Sequence, residues 1–143
     1  MTFLLDVNVL IALIDPVHID NQFALMWFSS SAARSWATCP ITENAVIRIV
    51  GHRSYPNWPG PPPVVAESLA RFRQHPGHEF WSDDISLLDH TKIDMGRLAT
   101  SGQVTDSYLL TLAIAHGGQL ATFDRRLISD AVKNGVQGLH LIR

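Results

Sequence analysis

Asp6, Glu43, Asp106 and Asp124 share one kind of sequence setting. Each precedes a run that reads as helical, and each follows Leu5, Thr42, Thr105 or Phe123 respectively. Apolar pairs flank the acids at hydrophobic-staple spacing: Leu5 with Leu10, Ile41 with Val46, Val104 with Leu109 and Phe123 with Ile128. That spacing predicts an acid at the cap or first position of four helices. Taken singly, each is an ordinary cap, accepting from free backbone N–H groups and favoured by the helix dipole. Gathered into one place, four carboxylates mean something else. Their charges repel, and left bare, one or more would protonate. A hard divalent cation relieves that repulsion, and Mg²⁺ prefers a few carboxylate oxygens plus waters. Such an ion can hold a phosphate oxygen and polarise a water for attack, and two ions ~3.5–4 Å apart stabilise both the attacking and the leaving oxygen. The chemistry open to this set is phosphodiester hydrolysis, with no Ser, Cys or His nucleophile required.

The elements that must position the acids follow from apolar patterning. Residues 3–5 form a short strand, and residues 7–14, apolar nearly all round, a buried helix. Asp15-Pro16 ends it. A second helix is predicted over 19–34, a strand over 35–38, and a helix over 41–50 with Gly51 placed to end it. Residues 52–63 hold five of the eight prolines and read as a loop. A helix over 64–75, a strand over 79–81, a weak helix over 89–100 and a strong helix over 105–116 follow, the last stopped by Gly117-Gly118. A strand over 120–122, a helix over 125–133 and a strand over 139–142 complete the chain. Short strands alternating with helices predict a mostly parallel sheet with helices on both faces. The acids then fall beyond the carboxyl ends of the strands, where ligand crevices form in such sheets.

Length and composition narrow the classes. The 143 residues fit one domain spanning residues 1–143. With 46% hydrophobic and 17% charged residues, the chain can bury a core, which excludes disorder. No apolar run approaches the ~18 residues of a membrane span, and the acid at residue 6 argues against a signal peptide. The single Cys39 excludes an internal disulfide and favours a reducing compartment, hence a cytoplasmic location. A net charge of −2 does not announce a nucleic-acid binder, yet nine of the eleven basic residues are Arg, the type suited to bidentate phosphate contacts.

The segments LDVNVLIALIDPVH (5–18), PITENAVIRIV (40–50) and TDSYLLTLAIAHGGQLATFDRRL (105–127) resemble PIN-domain ribonucleases, specifically VapC-type toxins of bacterial toxin–antitoxin pairs. The ordered set of D-x-N, T-E before a helix, T-D before an apolar helix and T-x-D after a strand carries the resemblance. By position, Asp6, Glu43, Asp106 and Asp124 match the family's acidic metal-binding quartet, and Asn8 and Thr122 its supporting polar residues. The resemblance implies a three-layer α/β/α sandwich with a central first strand. It further implies Mg²⁺ or Mn²⁺, endonucleolytic RNA cleavage leaving 3′-hydroxyl and 5′-phosphate ends, a block on translation, homodimers and a cognate antitoxin. On that basis Asp6 is the central metal ligand and Asp106 shares the ion. Glu43 ligates or serves as a base. Asp124 ligates a second ion or acts through water. The proline-rich loop and the stretch before Asp106 depart from the family pattern.

Other residues carry weaker signals. Arg125 and Arg126 follow Asp124 and could reach RNA phosphates at the rim. His18 and Trp27 match positions common in VapC-type chains, read first as packing at the groove mouth and then as RNA contacts. Arg48, Arg53, Arg71 and Arg73 could extend a basic track, with helix-surface charge as the default reading. Asp83-Asp84 reads as a solvated turn. Tyr55 and Trp58 read as pins for the proline-rich loop, or as stacking residues. Two rival readings are a non-catalytic PIN-like docking module and a haloacid-dehalogenase-like phosphatase. The phosphatase wants a second Asp where Asn8 stands and a Lys at a strand end, whereas the lysines are Lys92 and Lys133.

Overall fold

A computed structural model describes residues 1–143. Five strands, β1 (Phe3–Leu5), β2 (Trp36–Thr38), β3 (His78–Phe80), β4 (Gln119–Thr122) and β5 (Leu139–Leu141), form one sheet in the order β3-β2-β1-β4-β5. Every pairing is parallel. The register sets Leu4 beside Ala37 and Leu120, and Leu5 beside Ala121, so all strands end at one edge. β1 is the central strand, as the resemblance implied.

Alternation along the strands divides the apolar residues between two faces. Leu5, Trp36 and Ala121 pack under α1 (Val7–Ile14), α2 (Asn21–Trp27), α3 (Pro40–Val50) and α4 (Pro62–Phe72). Leu4, Ala37 and Leu120 pack under α5 (Gln103–Ala115), with α6 (Gly135–Gly138) beside it. The result is the three-layer α/β/α sandwich. No helix is long and apolar enough to cross a membrane.

Several boundaries differ from the sequence expectation. The helix predicted over 19–34 holds only as α2, and its backbone then widens into a π-helical turn over Phe28–Ala32. The helix predicted over 89–100 shrinks to one 3₁₀ turn at Met95–Arg97, and the one predicted over 125–133 is absent. One cause explains both. The two segments pair with each other through an antiparallel bridge between Ile93 and Val132, with Asp94 N–H donating to the Ala131 carbonyl and Lys133 N–H to that of Lys92. These backbone groups are therefore unavailable for helical bonds. The third strand is His78–Phe80 rather than 79–81.

Of the four staples, only Leu5 with Leu10 forms, both residues fully buried. α3 starts at Pro40 with Cys39 as its cap, and α5 starts at Gln103 with Gly102 as its cap. Glu43 and Asp106 thus lie in the first turn, not at the cap. Gly51 does end α3. A Cβ there would stand 2.6 Å from the Ile47 carbonyl oxygen and 3.0 Å from Pro62 Cα, so the close approach of α4 requires glycine. Gly117 follows α5 at φ +72°, a left-handed conformation that glycine adopts freely.

Candidate active site

Asp6 leaves β1 one residue past the sheet and caps α1: its Oδ1 accepts from Val7 N–H at 2.7 Å. Its Oδ2 accepts from the Thr122 hydroxyl at 2.7 Å across 116 residues of chain. Thr122, the last residue of β4, is a saturated hub. Its one proton goes to Asp6, and its lone pairs accept from Asn8 Nδ2 at 3.2 Å and from Asp124 N–H at 3.0 Å. Asn8 also accepts from Phe123 N–H at 3.2 Å, which ties α1 to the turn after β4. Asp124 sits in that turn rather than at a helix start, its Oδ1 accepting from Arg126 N–H at 2.8 Å. Asn8 and Thr122 therefore hold Asp6 and Asp124 in one frame. Asp106 reaches it from the first turn of α5, where Ser107 beside it is fully buried and its hydroxyl has no partner.

The electrostatics follow the geometry. Burial pushes the Asp6 carboxyl above its ordinary range; the Thr122 and Val7 hydrogen bonds pull it back and the Asp124 charge adds to the rise. Burial raises Asp106 as well, and the charges of Asp6 and Asp124 raise it further. These three aspartates form one mutually repelling group. Glu43 is compensated separately. Arg73 Nη1 lies 3.3 Å from both of its carboxylate oxygens, and the Thr38 hydroxyl donates to Oε2 at 2.6 Å. With the Thr38 proton spent on Glu43, His78 Nε2, 2.7 Å from Thr38 Oγ1, must be the donor to it. Burial and the Arg73 charge push His78 down to about 4, so the ring is neutral at neutral pH.

The quartet thus divides into three plus one, with Glu43 at the end of β2 and its own cation beside it. The donor set of the trio is entirely carboxylate oxygen, the type that hard divalent ions select. No three His, Cys, Asp or Glu side chains converge as a ready-made metal cage.

The remaining candidates are dispersed. Arg125 and Arg126 are exposed beside Asp124. His18 lies past the far end of α1, a helix ~12 Å long at 1.5 Å per residue, and its Nδ1 accepts from Asp20 N–H. Trp27 is occupied by Phe3 and His140, away from the carboxylates. Tyr55 pins the proline-rich loop by donating to buried Asp15, as Asn57 does at 2.9 Å, and Trp58 Nε1 donates to the Gly51 carbonyl at 3.2 Å. Asp83 and Asp84 brace the turn after β3 through Tyr108 and His116. Sequence reasoning missed the Thr38–His78 support of Glu43 and treated Arg73 as surface charge. No spacing links residues 38, 43, 73 and 78; only the packing of α4 over β2 and β3 does.

No family model matches the chain. Three ribonucleases of Mycobacterium tuberculosis align with it nearly end to end. Ribonuclease VapC44 is 45% identical over 134 residues, covering 92% of each chain. Ribonuclease VapC39 is 40% identical over 131 residues, 92% of this chain and 94% of its own. Ribonuclease VapC29 is 38% identical over 127 residues, 89% of each. In fold, the chain matches a crystal structure of VapBC2 from Rickettsia felis bound to a promoter DNA fragment, with a TM-score of 0.61 at 14% identity over all of both chains. With identity at this level over nine-tenths of the chain, and the sandwich that carries the acids in place, the chain belongs to the VapC ribonuclease family.

Proposed function

We propose that this protein is an endoribonuclease that hydrolyses RNA phosphodiester bonds with Mg²⁺ or Mn²⁺, acting as the toxin of a toxin–antitoxin pair. The observation that carries this reading is the hydrogen-bonded frame that Thr122 builds around Asp6 and Asp124 past the strand ends, with the charges of both acting on Asp106 in the first turn of α5. Relatives named as VapC ribonucleases supply the substrate class. An antitoxin partner is inferred from the VapBC likeness in fold, and a homodimer goes with the family reading.

Asp6, Asp106 and Asp124 would hold the ion, with Glu43 as the outlying fourth acid. A bound ion would supply charge neutralisation at the phosphate and would lower the pKa of water so that hydroxide is available near neutral pH. The chain's own residues do the positioning. Thr122 and Asn8 fix Asp6 and the Asp124 turn, so that the carboxylates stay oriented when the charge between them changes. Arg125 and Arg126 stand where a phosphate backbone could pass. Attack by water and loss of the 3′ oxygen leave a 3′-hydroxyl and a 5′-phosphate.

The test is cleavage of single-stranded RNA by purified protein in EDTA, Mg²⁺ or Mn²⁺, with Asp6→Asn beside wild type. Cleavage should need the metal and vanish in Asp6→Asn, because Asn still caps α1 but is a poor ligand. Full activity of a folded Asp6→Asn protein, or undiminished cutting in EDTA, would overturn the assignment.

A further inference from the structure

Arg73 ends α4 where the outer strand β3 finishes. Its guanidinium carbon lies 5.2 Å from the centre of the Phe80 ring, while Nη1 faces Glu43. One nitrogen of the guanidinium is engaged in this way, out of a fork carrying five N–H donors. The Arg73 side chain is 38% exposed and Phe80 47% exposed. Phe80 belongs to neither apolar core. It stands level with Thr38 on the sheet edge, where no further strand pairs. A free guanidinium edge and an exposed ring therefore lie side by side, one residue's reach from Glu43.

We propose that Arg73 and Phe80 form a nucleotide-binding subsite beside the carboxylates: the free N–H donors of Arg73 hold an RNA backbone phosphate, and an adjacent unpaired base stacks on the exposed face of the pair. The inference rests on the ribonuclease reading above. A cluster of aspartates repels a polyanion, so the attraction that seats the strand must come from its flanks. A guanidinium fork matches phosphate oxygens, and both aromatic rings and guanidinium planes stack on bases. Every base offers a π face, so this subsite holds the strand without choosing its sequence.

The test is binding of a short fluorescein-labelled single-stranded RNA of mixed sequence, followed by anisotropy in EDTA over a KCl series. Phe80→Leu keeps an apolar side chain but loses the ring; it should bind about tenfold more weakly at an unchanged melting temperature, and Phe80→Tyr should restore binding. Glu43→Gln serves as the reference for Arg73, because it removes the repulsion that an uncompensated Glu43 would exert. Adding Arg73→Gln to it should flatten the slope of log affinity against log salt by about 0.7, the loss of one phosphate contact. If wild type binds RNA and these variants match their references in affinity and slope, the subsite is overturned and the nuclease reading stands. If wild type neither binds RNA nor cuts it with Mg²⁺, both fall. A change confined to antitoxin binding would make the pair a protein contact and overturn the subsite equally.

Discussion

Asp106 and Asp15 are carboxylates with opposite energetic signs, and the difference lies in their neighbours. Asp106 is raised by burial and then by Asp6 and Asp124, with no hydrogen bond among the causes that act on it. A raised carboxyl destabilises the folded state once it is charged. Metal-free stability should therefore fall as pH rises from the ordinary value of 3.8 through the folded one. Asp106→Asn should raise the metal-free melting temperature at neutral pH by roughly 2–4 °C, and the gain should vanish in acid, as read by scanning calorimetry over a pH series. No gain at neutral pH would mean that the three aspartates do not share a field. The placement of these acids was legible in part: Asp6 and Asp124 stand just past strand ends and Asp106 in the first turn of α5, places that local patterning points to. The Arg73–Glu43 pair was not, because its partners lie 30 residues apart and meet only through helix packing.

At the scale of elements, α1 is held at both ends by carboxylates. Asp6 starts it, and Asp15 follows its last turn, accepting from Tyr55, Asn57 and Val17 N–H. Burial alone would raise Asp15, but these hydrogen bonds outweigh it and hold the carboxyl below its ordinary value. Its contribution is thus complete above that value and is lost as pH falls through the folded one. Tyr55→Phe should cost about 1–3 kcal/mol at neutral pH by urea unfolding, because it strips a partner from a buried charge, and the deficit should shrink in acid. An equal deficit at every pH would refute the anchoring role. The proline-rich loop is thereby tied to the end of α1 away from the trio. The strands and the helices α1, α3, α4 and α5 were readable because each carries its own apolar period. Residues 89–100 and 125–133 were misread for a definite reason: their pattern is weakly helical, but their backbone groups satisfy each other across the bridge at Ile93 and Val132. Nothing local encodes that pairing.

For the whole molecule, the sheet brings Asp6 and Asp124 to one edge, and α5 adds the like charge of Asp106. Ligands that bind only the folded state stabilise it by mass action, by about 2.7 kcal/mol at a hundredfold excess over Kd. Mn²⁺ or Mg²⁺ should therefore raise the melting temperature of wild type and leave that of Asp106→Asn nearly unmoved. Equal shifts in both proteins would place the binding elsewhere. The comparison separates occupancy of the trio from general ionic effects, since both proteins see the same salt.

Strand order has a consequence for when this pocket can exist. Asp6 is made 116 residues before its hydroxyl partner Thr122, and β4 must slot in beside β1 before the two can meet. A chain still being synthesised has every opportunity to fold β1, β2 and their helices, yet it holds its acidic pocket half-built. Competence to cut would arrive only after β4 has been made and has docked, so a ribosome making this polypeptide is spared the finished enzyme while it works through the segment between β1 and β4.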